Sequence, residues 1–304
     1  MIVPLLTQSN SPHLSKFNTG LGNALFQIFT AYGLSKKFNH TFNNYCLLEL
    51  LVKLKKFSLN HSDTIFRNLK LFQKTLDNKV VMREKHNYYS LYDENLVKNI
   101  NKVNDDTCVL LQGYVQSHMY FDNYYDEIVN LIKPDEKSIE YIKQKYPHLF
   151  DKNNINISIH TRFNWGHNIS YNLDYYYEAI EYIKNKINKK KINKKIIINV
   201  FSDNIEKAES SFNFKDTNIF FKKNVDYIDL WSMSLCTHNI LSNSTLSWWG
   251  AYINNDKDKI VVYPEDILRL VNATIYKDLQ LIERKTQHYK KEWIALKTKN
   301  VIFQ

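Results

Sequence analysis

His160 and Arg162 stand two residues apart where the alternating run Asn156-Ile157-Ser158-Ile159 ends. In an extended strand, residues i and i+2 point the same way, so an imidazole and a guanidinium share one face at a strand end. A guanidinium is planar, and its fork of donors suits a diphosphate better than a point charge does. Among the 41 Lys+Arg residues the arginines are Arg67, Arg83, Arg162, Arg269 and Arg284. A sequence that uses lysine almost everywhere keeps arginine where the fork matters, and Arg162 is placed to clamp a diphosphate. An exposed arginine at a loop mouth and a hydrogen-bonded structural histidine are the competing readings.

Three further groups could share that chemistry. Asp203 ends the run Phe201-Ser202-Asp203 and could accept hydrogen bonds from a base or a ribose, or could cap the helix that begins near Ile205. Asn243, Ser244, Thr245 and Ser247 place small polar groups just before Trp248 and Trp249. Hydroxyls and backbone N–H groups at a helix start can hold an anion, although the same residues are ordinary caps. Gly20, Gly22 and Asn23 precede or open an apolar helical stretch, which allows either a phosphate-approaching loop or a tight turn. The spacing is not GxGxxG, because Leu25 occupies the third glycine position.

Positioning these residues requires a sheet. Residues 156–160, 196–201 and 238–241 read as buried strands, each running directly into one of the polar groups, and 260–263 reads as a further strand ending at Pro264. Between the first two, residues 173–187 have strong helical periodicity. Strands separated by helices imply a parallel sheet, and open α/β sheets bind ligands at strand carboxyl ends. The second half is therefore expected to be a Rossmann-type nucleotide domain. Upstream, residues 108–111 form a strand and 122–143 a helical stretch broken at Pro134, while 41–105 are helix-like or irregular and poor in chemistry. The polar segment 145–154 is the expected linker, dividing an N-terminal α/β domain, 1–150, from a C-terminal domain, 151–304.

Composition narrows the classes. The 304 residues, 44% hydrophobic and 14% aromatic with Gly 6 and Pro 5, suit one large core or two ordinary ones and exclude fibrous and disordered chains. No apolar run approaches the roughly 20 residues that cross a bilayer, and the first ten residues lack a basic segment followed by an apolar one, so a cytoplasmic protein is expected. Cys46, Cys108 and Cys236 are widely spaced among apolar neighbours and read as buried thiols. The net charge of +10 is concentrated in residues 184–195, a solvated helix end and loop, which argues against nucleic acid as a partner and leaves open a peripheral contact with anionic membrane.

In order and combination, the motifs resemble the alpha-1,2-fucosyltransferases and their relatives among GDP-fucose-dependent transferases. The resemblance rests on GLGNALFQ (20–27), GYVQSHMYF (113–121), HTR (160–162), LDYYYEAI (173–180), FSD (201–203) and DLWSMSLCTHNILSNSTLSWWGAYIN (229–254). It implies a GT-B architecture with two Rossmann-type domains facing across a donor-binding cleft, the first domain on the acceptor side. It also implies inverting transfer of L-fucose from GDP-fucose to a galactose-containing glycan, at O-2 of galactose, with no cofactor and no required metal.

Carried over by position, Arg162 is similar to the arginine on the donor phosphates, with His160 as its companion. Asp203 matches the acid that recognises guanosine, and Ser244, Thr245 and Ser247 match the loop at the diphosphate. Gly22 and Asn23 match the N-terminal loop that closes over the donor. Arg162 and Asn23 are the candidate catalytic pair, and Asn23 and His167 could position an acceptor. Relatives continue HxR with a second Arg and then Gly-Asp, whereas Phe163, Asn164 and Trp165 follow here. That departure implies weaker diphosphate binding or another basic residue in compensation, and it leaves room for a different GDP-sugar or for a non-catalytic carbohydrate-binding relative. Asp256-Lys257-Asp258 has the spacing of a metal signature but sits in a polar turn.

Overall fold

The computed structural model describes residues 1–6, 20–43, 60–69, 77–84, 91–104, 106–163, 169–171, 173–190, 193–213, 218–222, 224–265, 287–297 and 301–303. Cys46, His167, Arg269, Arg284 and the residues 164–168 after the HTR motif lie outside them. The chain forms two compact units, Met1–Pro134 with Lys277–Lys291, and Asp135–Tyr276 with Glu292–Gln304. The division therefore falls at Pro134 rather than at residue 150. The expected linker belongs to the second unit for a physical reason: the His148 carbonyl accepts from Asn154 Nδ2 at 3.2 Å and Asn156 Nδ2 at 2.9 Å, and its ring bonds Asn199 Oδ1 at 2.8 Å.

The first unit holds a parallel three-stranded sheet in the order β1 (Ile2–Leu5), β3 (Cys108–Gln112), β2 (Lys79–Arg83). Helix Leu21–Lys37 lies against it and buries Leu25, Phe26, Ile28, Phe29 and Leu34. Gly20 caps this helix in extended backbone, so no positive φ is needed at its start. Lys36 and Lys37 complement the helix dipole in the last turn, and Asn39, at φ 57°, turns the chain away. Gly33 is required by contact: a Cβ there would lie 2.3 Å from the Tyr120 carbonyl oxygen.

The second unit carries a parallel six-stranded sheet in the order β10 (Ile294–Leu296), β9 (Val261–Pro264), β8 (His238–Ile240), β4 (Asn154–Thr161), β6 (Lys195–Ser202), β7 (Asn218–Lys222). Counted from β4 along the chain, and setting aside the small antiparallel pair of β5 (Ile169–Tyr171) with β11 (Val301–Phe303), this is the 3-2-1-4-5-6 arrangement of doubly wound nucleotide folds. The expected Rossmann-type sheet is thus present. Ile157, Ile159, Ile198 and Val200 pack with Tyr175, Tyr176, Ala179, Ile180 and Ile183 of helix Leu173–Lys189, each fully buried apolar side chain contributing on the order of 1.5–3 kcal/mol.

Asparagines inside this core are paired, which is why they interrupt the apolar strands without weakening them. Asn199 Nδ2 donates to Asn156 Oδ1, Asn239 Nδ2 to Ser158 Oγ, and Asn254 Nδ2 to Asn239 Oδ1, at 3.1, 2.7 and 2.8 Å. Pro134 does break the helical stretch, into Tyr125–Ile132 and Glu136–Lys145, the latter capped by Asp135. Cys108 and Cys236 are buried free thiols. Among the described residues no helix is long and apolar enough to cross a membrane.

Candidate functional site

In a 3-2-1-4-5-6 sheet the chain reverses direction between the first and fourth strands, and the crevice beyond their carboxyl ends is where ligands bind. Here those strands are β4 and β8, and their ends are joined by side chains. His160 Nδ1 and Ser242 Oγ are 2.8 Å apart, and Ser242 Oγ accepts from the Ser244 N–H at 3.2 Å. His160, Ser242 and Ser244 are 6%, 2% and 6% exposed. Burial, reinforced by the Arg162 guanidinium, pushes the His160 imidazole down to about 4, against a smaller opposing pull from Asp203. The ring is therefore neutral at physiological pH and does not add a second positive charge beside Arg162.

The register of β4 with β6 pairs His160 with Phe201 and Thr161 with Ser202, so the next step brings Arg162 level with Asp203. Arg162 Nε lies 3.7 Å from Asp203 Oδ2, and the Phe163 N–H donates to Asp203 Oδ1 at 2.8 Å. The side chains are 40% and 30% exposed, so the pair contributes little stability, about 0–1 kcal/mol. Its effect is orientation of the guanidinium at the strand ends. Asp203 is not the helix cap; Asn204 takes that role by accepting from the Lys207 N–H at 3.0 Å.

Ser244 caps helix Thr245–Tyr252, its hydroxyl accepting from the Leu246 N–H at 3.3 Å. Thr245 opens that helix, so the site faces a helix N-terminus, where partial positive charge favours an anion. Ser247 is 1% exposed and donates to the Ser244 carbonyl at 2.8 Å; its hydroxyl shapes the turn from inside. Behind the turn Trp248 and Trp249 are buried, Trp248 stacking on Tyr252 at 4.8 Å. A Cβ on Gly250 would meet Met233 Cβ at 2.8 Å, which shows how closely this helix sits on helix Asp226–Ser234.

The tyrosines of LDYYYEAI have a definite role. Tyr175 OH donates to the Leu241 carbonyl at 2.8 Å and Tyr176 OH to the His160 carbonyl at 3.3 Å, so one helix fixes the ends of both strands that flank the crevice. Two groups there were not singled out by sequence reasoning, Thr161 and Ser242. Ser242 stood in the same run of small polar residues, whereas Thr161 carried no signal beyond its place between His160 and Arg162. Thr161 Oγ1 and Asn243 Nδ2 are buried with no hydrogen-bond partner among the described residues. Leaving such a group unsatisfied costs about 1–3 kcal/mol, a cost borne at the two strand ends that flank the crevice.

Gly22 and Asn23 belong to the first unit. Gly22 is buried, and Asn23 lies in the first turn of helix Leu21–Lys37, its Oδ1 accepting from Gln116 Nε2 at 2.8 Å. GYVQSHMYF thus supplies a partner to GLGNALFQ. Asp256 and Asp258 form a turn, in which Asp256 Oδ1 accepts from the Asp258 N–H and Asp258 pairs with Lys190 at 2.9 Å. Among the described residues no group of three or more His, Cys, Asp and Glu is arranged to hold a metal ion.

An open parallel sheet with a cationic, hydroxyl-rich crevice at its switch point defines a nucleotide-type α/β domain. Residues 27–297 match glycosyl transferase family 11, and the chain belongs to that family of glycosyltransferases. The chain is similar to the O-antigen biosynthesis glycosyltransferase WbnK of Escherichia coli, 41% identical over 95 residues, an alignment spanning 30% of each chain. It is also similar to an alpha-1,2-colitosyltransferase of Escherichia coli, 25% identical over 281 residues, covering 81% of this chain and 88% of that one. Among solved structures, the fucosyltransferase NodZ from Bradyrhizobium is 11% identical with a TM-score of 0.42, covering 82% of this chain and 90% of that one.

Proposed function

We propose that this glycosyltransferase moves L-fucose from GDP-fucose, with inversion and without a required metal, to O-2 of galactose in an acceptor glycan. The observation that carries this reading is the set of groups at the carboxyl ends of β4 and β8, where Arg162, buried His160 bonded to Ser242, and the Ser244–Thr245 helix start stand at the switch point of the sheet. Inversion needs an acceptor hydroxyl in line with the anomeric carbon and stabilisation of the departing nucleotide. Arg162 and the N–H groups at the helix start supply the second need. Asp203 orients Arg162 and lies toward the guanosine, Ser247 holds the turn, and Asn23, with Gly22 beside it, positions the reacting groups.

The cation missing after Arg162 has a structural substitute in this reading. Phe163 packs partly into the core, and Lys207 Nζ stands 5.2 Å over its ring, bringing a second positive charge to the same strand ends. A different donor sugar is the second reading, favoured by the same departure at Phe163 and by the similarity to an enzyme named for colitose transfer. The exposed lysines Lys186, Lys189, Lys190, Lys194 and Lys195 fit a cytosolic enzyme that touches anionic membrane. Calorimetric titration with GDP tests the carrying observation: the wild type should bind, and Arg162→Ala should lose at least about tenfold in affinity, the scale of one charge-assisted hydrogen bond. Equal affinities would remove the basis of the reading.

A further inference from the structure

Val115 sits at φ +42°, a conformation that a β-branched residue adopts only when its surroundings impose it. What imposes it is visible in the first unit. Thr30 Oγ1 donates to the Val115 carbonyl at 3.1 Å, Gln27 Nε2 donates to the Gly113 carbonyl at 2.8 Å, and the Val115 N–H donates to Glu84 Oε2 at 2.8 Å. Gly113, at φ +147°, is pressed so close that a Cβ would lie 2.6 Å from Glu84 Cβ. Glu84 is 2% exposed, directly follows β2, and its N–H bonds the Gln112 carbonyl at the end of β3. A buried carboxyl thus stands at the carboxyl ends of the first unit's sheet and grips a strained loop.

The residue after the strained one is Gln116, whose side chain holds Asn23 and whose carbonyl lies 2.7 Å from His288 Nδ1. We infer that Glu84 is a positioning residue for sugar transfer: by clamping the 113–117 loop it fixes Gln116, and through Gln116 the side chain of Asn23. The inference rests on the reading of Asn23 as a residue that acts in transfer. Strain held at the loop by three side chains from two separate elements has no counterpart in ordinary turn formation, which would use glycine at Val115.

The electrostatics of the clamp give it a signature in pH. Burial is the main cause that pushes the Glu84 carboxyl up, to about 8, with Asp93 adding to it and the Val115 and Tyr114 amides opposing. Among the described residues, the charged and titratable groups facing it are Asp93, at the start of helix Glu94–Ile100, and Tyr120, whose hydroxyl accepts from the Asp93 N–H at 2.7 Å. A released Glu84 ionises in the ordinary carboxylate range, so the clamped loop loses stability as the pH rises from that range toward 8, where the buried charge would face Asp93, and loses no more above it. A glutamine at 84 keeps an oxygen for the Val115 N–H and cannot ionise.

The test compares wild type, Glu84→Gln, Glu84→Ala, Asn23→Ala and the Glu84→Ala/Asn23→Ala double variant, with GDP affinity and amide hydrogen exchange measured on each. Glu84→Ala should lower kcat about 100-fold, the cost of displacing a positioning group by about 1 Å, with GDP affinity changed less than about twofold. The double variant should be no slower than Asn23→Ala alone, because both act through one group. Glu84→Gln should retain kcat within about threefold and lose the fall in rate toward pH 8 that is expected of the wild type. Exchange of the 113–117 amides, which does not depend on turnover, should accelerate at least about tenfold in Glu84→Ala and stay unchanged in Asn23→Ala. Wild-type exchange in Glu84→Ala, or an alkaline limb retained in Glu84→Gln, overturns the inference. Wild-type kcat in Asn23→Ala alongside accelerated exchange in Glu84→Ala would instead overturn the role of Asn23 and leave the clamp as purely structural.

Discussion

Mild acid should destabilise the second unit well above the pH at which its carboxylates titrate. Burial holds His160 and His238 each down to about 4 from the ordinary 6.5, with Arg162 adding to the effect at His160. Both residues are buried, 6% and 5% exposed. Between those values the unfolded chain binds two protons that the native state refuses. The contribution of these histidines is therefore complete above about pH 6.5 and is lost as the pH falls toward 4, at about 1.4 kcal/mol per pH unit for each, or about 2.7 together.

From pH 6.5 to 5 the loss is about 3 kcal/mol, a large share of the 5–15 kcal/mol that stabilises a typical domain. The assay is direct because the sequence of the first unit holds no tryptophan, while Trp231, Trp248, Trp249 and Trp293 are buried in the second, so tryptophan fluorescence reports the unfolding of the second unit. Urea midpoints should fall steadily from pH 6.5 to 5. His238 Nδ1 accepts from the Ile260 N–H at 3.1 Å, a bond an asparagine oxygen can imitate, so His238→Asn should halve the slope. A midpoint that stays level across this range would refute the argument that these imidazoles are buried and neutral.

Arg162→Lys should weaken GDP binding about tenfold while leaving the thermal midpoint within a degree or so, since the ammonium keeps the charge but not the fork and the exposed pair with Asp203 adds little stability; calorimetry and a thermal melt check the two halves separately. Lys207→Gln should weaken GDP binding several-fold and reduce its dependence on salt, measured between low and moderate ionic strength. Gly33→Ala should destabilise the first unit by about 1–3 kcal/mol or more, because a methyl placed 2.3 Å from the Tyr120 oxygen forces backbone apart. Circular dichroism in urea reads that loss.

The second unit was legible because its chemistry sits at strand ends. Buried runs that stop abruptly at His160, Ser202 and Leu241 announce both the strands and the polar groups beyond them. Asp203 shows the limit of such reading: helix cap and ligand contact were both open, and only the neighbouring Asn204, with its bond to the Lys207 N–H, decided who capped. The first unit was harder. Strand β2 reads Lys79 to Arg83 with every second residue exposed, too short and too polar a pattern to stand out beside irregular sequence. Glu84 follows it as one charged residue among several, and nothing local signals that it folds inward against Gly113. The linker at 145–154 misled for a related reason: Pro147 and a polar composition describe a loop, but the side chains of His148, Asn154 and Asn156 find their partners inside the second unit.

A donor screen tests the central claim most directly: purified protein with GDP-fucose, GDP-mannose, GDP-rhamnose and UDP-galactose, with and without a chelator, scored for nucleotide release on galactose-terminated acceptors. Chelator-resistant transfer from GDP-fucose alone, abolished in Arg162→Ala, is the predicted result. Transfer that requires a divalent metal, or a nucleotide-sugar bound equally well by wild type and Arg162→Ala, would contradict the assignment of the β4 and β8 crevice as the site that holds the leaving diphosphate.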